Sequence, residues 1–119
     1  MSGTAAYYAN RFHGRKTSSG NLYNKNAMTA AHRSLPLGTW VRVTNERNGN
    51  NVVVQVTDRG PFSGNRVIDL SLAAATDLDM LRKGTAPVRL GVLPEYPLAI
   101  SAAPLKSVQL AAEVDLDPQ

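Results

Sequence analysis

The stretch Thr39-Trp40-Val41-Arg42-Val43-Thr44-Asn45-Glu46-Arg47-Asn48-Gly49-Asn50-Asn51-Val52-Val53-Val54-Gln55-Val56-Thr57 contains two runs of period two around a turn. Thr39 to Asn45 sets Trp40, Arg42 and Thr44 against Val41 and Val43. Asn51 to Thr57 sets Val52, Val54 and Val56 against Val53, Gln55 and Thr57. Side chains alternate between the faces of a strand, so each run reads as a half-buried strand. The Asn48-Gly49 step readily takes the positive backbone angles of a hairpin turn. An antiparallel hairpin is therefore the seed of the fold.

Working outward, Thr4 to Ala9 reads as a short Tyr-rich strand, and Val67 to Leu70 and Pro87 to Leu93 as two more. Ser71 is placed to cap a helix whose body, Leu72 to Leu78, is rich in good formers and ends before Gly84. A second short helix or turn is expected at Ala27 to His32. The sum is a mostly β domain with one or two short helices, closed into a barrel or a sandwich. It should occupy residues 1–93. From Pro94 the chain is Ala- and Leu-rich, punctuated by Pro97, Pro104 and Pro118. Residues 94–119 are expected to form a tail or linker, with Val108 to Val114 the segment able to add a strand or short helix.

At 119 residues the chain can form one domain with a core of its own. The charge is uneven: residues 1–93 carry 12 Lys and Arg against 5 Asp and Glu, whereas residues 94–119 carry Lys106 against four acids. A basic body suits an anionic polymer. There is no Lys/Arg-rich helix or aromatic stacking platform of the kind that binds nucleic acid, so none is expected as a partner. With no cysteine there is no disulfide framework. No apolar run reaches the ~20 residues of a membrane span. The start, Met1-Ser2-Gly3-Thr4, lacks the regions of a secretion signal, which suggests a cytosolic protein or a mature fragment.

Two polar blocks sit on Gly-containing turns: His13-Gly14-Arg15-Lys16-Thr17-Ser18-Ser19-Gly20-Asn21 and Val56-Thr57-Asp58-Arg59-Gly60-Pro61-Phe62. Asp58 ends an apolar strand. Either its carboxylate accepts N–H groups of its own turn, or apolar neighbours raise its proton affinity toward that of a general acid. His32 is a candidate to orient a carboxylate or a sugar hydroxyl; with only His13 as company it does not suggest a metal site. Asp69 is placed to share the cap of the helix start with Ser71, and is the second carboxylate to consider. Tyr8 is the preferred wall of a sugar-binding groove, with Trp40 as scaffold.

Taken together, Ala6-Tyr7-Tyr8, Phe12 to Thr17, Met28 to His32, Leu35-Pro36, Val41 to Asn45, Asn48-Gly49, Asp58 to Phe62 and Arg66 to Ser71 closely resemble the rare lipoprotein A family, from about Gly3 to Leu93. The resemblance implies a six-stranded double-psi β-barrel, as in expansins, barwin-like proteins and family 45 glycoside hydrolases. It implies a bacterial envelope setting, periplasmic or as an outer-membrane lipoprotein in full length. There members cut peptidoglycan glycan strands as lytic transglycosylases, leaving 1,6-anhydromuramic ends. Neither a lipid-bearing Cys nor a second glycan-binding domain is present, which a trimmed catalytic domain accounts for. The domain is expected to act as a monomer without a cofactor.

By position, the family's catalytic aspartate falls on Asp58 and its histidine on His32, with Tyr8, Thr17, Arg59 and Asp69 as substrate contacts. Its glutamate falls on Asn21, which has no proton to lend. A lytic transglycosylase needs no activated water, because the 6-hydroxyl of the same muramic acid is the nucleophile. Asp58 could therefore serve as acid and then base, with Asn21 as a sugar contact. The alternative is a non-catalytic, expansin-like peptidoglycan-binding module.

Overall fold

The computed structural model describes residues 1–94 and the strand Val114–Asp115. Its strands are β1 (Ser2–Tyr7), β2 (Thr29–Ala31), β3 (Trp40–Asn45), β4 (Asn51–Asp58), β5 (Arg66–Leu70), β6 (Ala86–Leu93) and β7 (Val114–Asp115). Among the described residues, one helix, α1 (Leu72–Asp77), and one 3-10 turn at Asn10–Phe12 complete it. The strands run β1-β5-β2-β4-β3-β6, and β6 pairs back onto β1, so the sheet closes on itself as a six-stranded barrel. β7 lies outside the ring. It pairs with Gly91 and Val92 of β6, beyond the part of that edge that β1 covers. The rest of the expected tail, including Val108 to Glu113, lies outside the described residues.

The hairpin forms in the expected register, Trp40 opposite Gln55 and Thr44 opposite Asn51. Val41, Val43, Val52, Val54 and Val56 point inward and pack with Ile68, Leu70, Val88 and Leu90. Full burial of such a side chain stabilises by about 1.5–3 kcal/mol. Two pairings in the ring are parallel, β1 with β5 and β2 with β4; the others are antiparallel. The architecture is the expected double-psi β-barrel. No helix among the described residues is long and apolar enough to cross a membrane.

The helix or turn expected at Ala27 to His32 is instead β2, wedged between β4 and β5. Its backbone is taken up on both sides: Gln55 N–H donates to Met28 O, Ser71 N–H to Thr29 O, and His32 N–H to Asp58 O. The helix preference of two alanines is a few tenths of a kcal/mol and yields to that pairing. Their small side chains fit a site where both are almost fully buried.

Both parallel pairings slip by one residue, and both slips matter. Along β1 the partner steps from Arg66 to Ile68, leaving Val67 over. The Val67 side chain lies across Gly3, where a Cβ would collide with Val67 Cγ1, so any larger residue there must displace that side chain. Along β2 the partner steps from Val56 to Asp58, leaving Thr57 over. Strict alternation would send Asp58 inward with Val54 and Val56, but an extra residue re-aims the side chain that follows it. Asp58 accordingly emerges at the barrel's lip, half-exposed.

Ser71 is the N-cap of α1, its Oγ accepting from Ala74 N–H at 3.2 Å, while Leu72 N–H donates to the Tyr23 hydroxyl and Ala73 N–H to Lys25 O. The share of this cap expected for Asp69 is absent, because β5 pairing turns that carboxylate toward Arg66. At the other end, the fully buried Asn45 donates from Nδ2 to Leu78 O at 2.9 Å and accepts from Arg47 N–H at 2.9 Å. One side chain thus ties the hairpin turn to the end of the helix.

Candidate active site

The two polar blocks of the sequence meet at Asp58. Its Oδ2 accepts from the Tyr8 hydroxyl at 2.6 Å. Its Oδ1 accepts from Ser18 N–H at 3.0 Å, the Ser18 hydroxyl at 2.9 Å and Arg59 N–H at 2.9 Å. The first block is pinned there through its backbone, Ser19 N–H donating to Thr57 O at 3.0 Å. Burial alone would raise the Asp58 carboxyl, but the bonds from Tyr8, Ser18 and Arg59 together outweigh it and hold the group below its ordinary value. The raised proton affinity considered from sequence is thereby corrected: at rest Asp58 is a carboxylate. Burial, then the neighbouring Asp58, pushes the Tyr8 phenol well above its ordinary value, so Tyr8 stays a donor.

A cleft of about 530 Å³ opens on one side of this pair, lined by Tyr7, Phe12, Pro61, Phe62 and Asp69 as well as Tyr8 and Asp58. A smaller cavity of about 200 Å³ adjoins it, lined by Arg15, Lys16, Thr17 and Tyr23 and again by Tyr8, Phe12 and Asp58. Tyr8 and Phe12 are walls common to both, Tyr8 held by Tyr23 at a centroid distance of 4.5 Å and by Phe12 edge-on at 6.0 Å. Asp58 stands at the junction of the two lobes.

Asp69 faces the larger lobe from β5. Its Oδ1 is buried and accepts no hydrogen bond; Arg66 Nη1, 3.3 Å away, is a charge neighbour without hydrogen-bond alignment. Burial raises this carboxyl above its ordinary value even against Arg66 and Arg33. One cleft therefore holds two carboxyl groups whose environments push them apart, an arrangement that separates a base from an acid.

The remaining candidates sit differently. His32 is buried, and its Nδ1 accepts from Ser34 N–H and Leu35 N–H, both at 3.1 Å. Burial first, then Arg59 and Arg33, lowers its proton affinity, so the ring is neutral with its proton on Nε2. It meets Asp58 through the backbone and lines neither lobe. The Arg59 guanidinium donates to the carbonyls of His32 and Leu35, at 3.0 and 2.6 Å, and anchors the same loop. Thr17 borders the smaller lobe, its hydroxyl spent on Asn21 O at 2.7 Å. Asn21 is exposed, bonded through its backbone, and lines neither lobe.

Ser18, Tyr23, Phe12 and Phe62 carry more of the site than sequence reasoning assigned them. Ser18 supplies two of the four bonds to Asp58, and only its place in a Gly-bounded polar block signalled it. Tyr23 also accepts from Leu72 N–H at 3.1 Å, linking the first block to α1.

Fold and site together define a class: a double-psi β-barrel with an acidic, aromatic-walled cleft at its lip. The sequence model of the lytic transglycolase family matches residues 1–90, and the chain belongs to that family. It is 56% identical over 90 residues to the endolytic peptidoglycan transglycosylase RlpA of Neisseria meningitidis serogroup A, covering 76% of this chain and 38% of that protein. To the RlpA of Campylobacter jejuni it is 56% identical over 91 residues, covering 76% and 33%. The chain thus spans well under half the length of these relatives. Among solved structures, a Streptomyces papain inhibitor superposes with a TM-score of 0.59 at 25% identity, covering 74% of this chain and 88% of that one. Cerato-platanin 3 from M. perniciosa superposes with a TM-score of 0.58 at 14% identity, covering 78% and 94%, a likeness of fold alone.

Proposed function

We propose that this domain is a peptidoglycan lytic transglycosylase, cleaving the bond from muramic acid to glucosamine and leaving 1,6-anhydromuramic ends. The observation that carries this reading is the pairing of Asp58 and Asp69 in one cleft, on a barrel whose relatives bear that name. In the reaction Asp69, protonated, gives its proton to the bridging oxygen as the bond from the muramic C1 breaks. Asp58 takes the proton of the muramic 6-hydroxyl, whose oxygen closes onto C1. The two protons exchange back through solvent, and no water is consumed. Positive charge gathering at C1 is met by the Asp58 carboxylate, fixed in place by Tyr8 and Ser18. His32 and Arg59 act as positioning residues by fixing the loop that follows β2. Thr17 borders the smaller lobe, and Asn21 holds the turn of the first block through its backbone carbonyl.

The corresponding setting is the bacterial cell envelope, with glycan strands as partner and a monomeric domain of residues 1–93 as the working unit. The test is digestion of purified sacculi, read by mass spectrometry for 1,6-anhydromuramic ends. The expected result is their release by the parent protein and loss of about 10²- to 10⁴-fold in rate for Asp58→Asn. Equal release by that variant would remove Asp58 from the chemistry.

A further inference from the structure

The two lobes that meet at Asp58 are not electrically alike. In the larger lobe the cations are committed: Arg59 donates to two loop carbonyls, Arg66 sits beside Asp69, and two carboxyl groups face the cavity. The smaller lobe is lined by Arg15 and Lys16, with Asp58 as its one acid. Among the described residues neither cation forms an ion pair; the Arg15 guanidinium rests over the Phe12 ring at 5.3 Å. Both are exposed but held on a small hairpin: Gly14 N–H donates to Tyr23 O, Tyr23 N–H to Arg15 O, and Lys16 bridges to Leu22. Two unpaired cations on a fixed ladder, beside the reacting carboxylate, suit an anionic group on the sugar bound there.

In the larger lobe the contrast is completed by Phe62. Its side chain is 82% exposed and its ring folds back over Gly60, beside the cavity that also holds Tyr7 and Asp69. A free aromatic face with no fixed charge of its own suits the C–H face of a neutral pyranose.

We propose that Arg15 and Lys16 form a subsite for the carboxylate carried by muramic acid, so that the strand lies with its muramic residue in the small lobe and its glucosamine against Phe62. The assignment rests on the glycan reading given above and deepens it: it fixes the direction of the strand across Asp58. The carboxylate is either that of the free lactyl ether or that of an attached stem peptide. Both present the same chemistry on the same side of the muramic ring.

The test measures binding rather than turnover, in an Asp58→Asn background in which cutting is slowed by about 10²- to 10⁴-fold. Probes are peptide-free glycan strands, the same strands with carboxylates converted to methyl esters, peptide-bearing strands, and chitohexaose as a neutral chain. The expected result is about tenfold tighter binding of the free-acid strands than of their esters. Arg15→Glu/Lys16→Glu abolishes that preference and leaves chitohexaose unchanged, while Arg15→Lys/Lys16→Arg retains it. Tighter binding of peptide-free than of peptide-bearing strands assigns the site to the lactyl carboxylate, and the reverse order to the stem peptide. Equal binding of acid and ester, or a preference that survives charge reversal, overturns the subsite while leaving the glycan reading intact. Failure to bind any of the four removes both.

Discussion

The Tyr8 hydroxyl lies 2.6 Å from Asp58 Oδ2, across 50 residues of sequence, and is the shortest of the bonds that keep this carboxylate ionised. A hydrogen bond to a charged acceptor contributes about 1.5–3 kcal/mol, and each pKa unit corresponds to about 1.4 kcal/mol. Tyr8→Phe keeps the ring against Tyr23 and Phe12 and removes only the donor. The expected outcome is an acid limb of the pH–rate profile moved up by about one unit. A limb that stays in place would show that Tyr8 does not tune Asp58.

The two carboxyl groups predict opposite effects on stability. Asp58 is held low, so its stabilising contribution is present above the unfolded-state value and lost as pH falls through the lower folded one. Asp69 is held high, so its contribution is present below the unfolded-state value and lost as pH rises through the folded one. At neutral pH, thermal melts should therefore show Asp58→Asn less stable than the parent, and Asp69→Asn equal or more stable. Both variants should lose activity, by about 10²- to 10⁴-fold. The same ordering gives the parent a bell-shaped rate profile: its acid limb belongs to Asp58 and its alkaline limb, above the ordinary carboxylate value, to Asp69. A variant Asp69→Asn with full activity would return the acid role to Asp58 alone.

Asn21 stands where the family resemblance places a glutamate, on the loop that holds Ser18 against Asp58. Its side chain is exposed and its backbone carbonyl takes both Thr17 donors. Asn21→Glu should leave the fold unchanged within about 0.5 kcal/mol, as surface changes do. If Asp58 and Asp69 suffice, the added carboxylate changes the rate less than about tenfold. A rise from no product to clear turnover would instead identify the parent domain as a binding module.

How much of this was legible follows the range of the interactions. The hairpin, the Ser71 cap and the end of α1 rest on neighbours in sequence, and period and cap chemistry were enough to place them. β2 was misread because three residues carry no period of their own; their conformation is imposed by β4 and β5. The resemblance located Asp58, but the sequence leaves open whether its turn or its apolar neighbours set its proton affinity; the Arg59 N–H bond agrees with the first reading. The other donors come from Tyr8 and Ser18, 50 and 40 residues away, and no local pattern reports them. Asp69 was misread as a cap for the same reason: the register of β5, not the approach of α1, decides where its carboxyl turns.

Asn45 offers a check on the scaffold that is separate from the chemistry. It is fully buried, and its amide satisfies Leu78 O at the end of α1 and Arg47 N–H in the hairpin turn. Asn48 Nδ2 reaches the same carbonyl at 3.0 Å, so Leu78 O keeps one partner if Asn45 is lost, whereas Arg47 N–H has no other acceptor. Asn45→Ala should cost about 1–3 kcal/mol, from the two hydrogen bonds lost together with a small cavity at a fully buried position. Asn45→Asp keeps the acceptor for Arg47 but turns a carboxylate oxygen toward Leu78 O in the core. It should cost more than alanine at neutral pH and recover as the group is protonated, since a protonated carboxyl donates where the amide did. Urea melts of the three proteins at pH 7 and pH 4 measure both effects. An aspartate variant as stable as the parent at pH 7 would mean that the hairpin and α1 are not joined through this side chain.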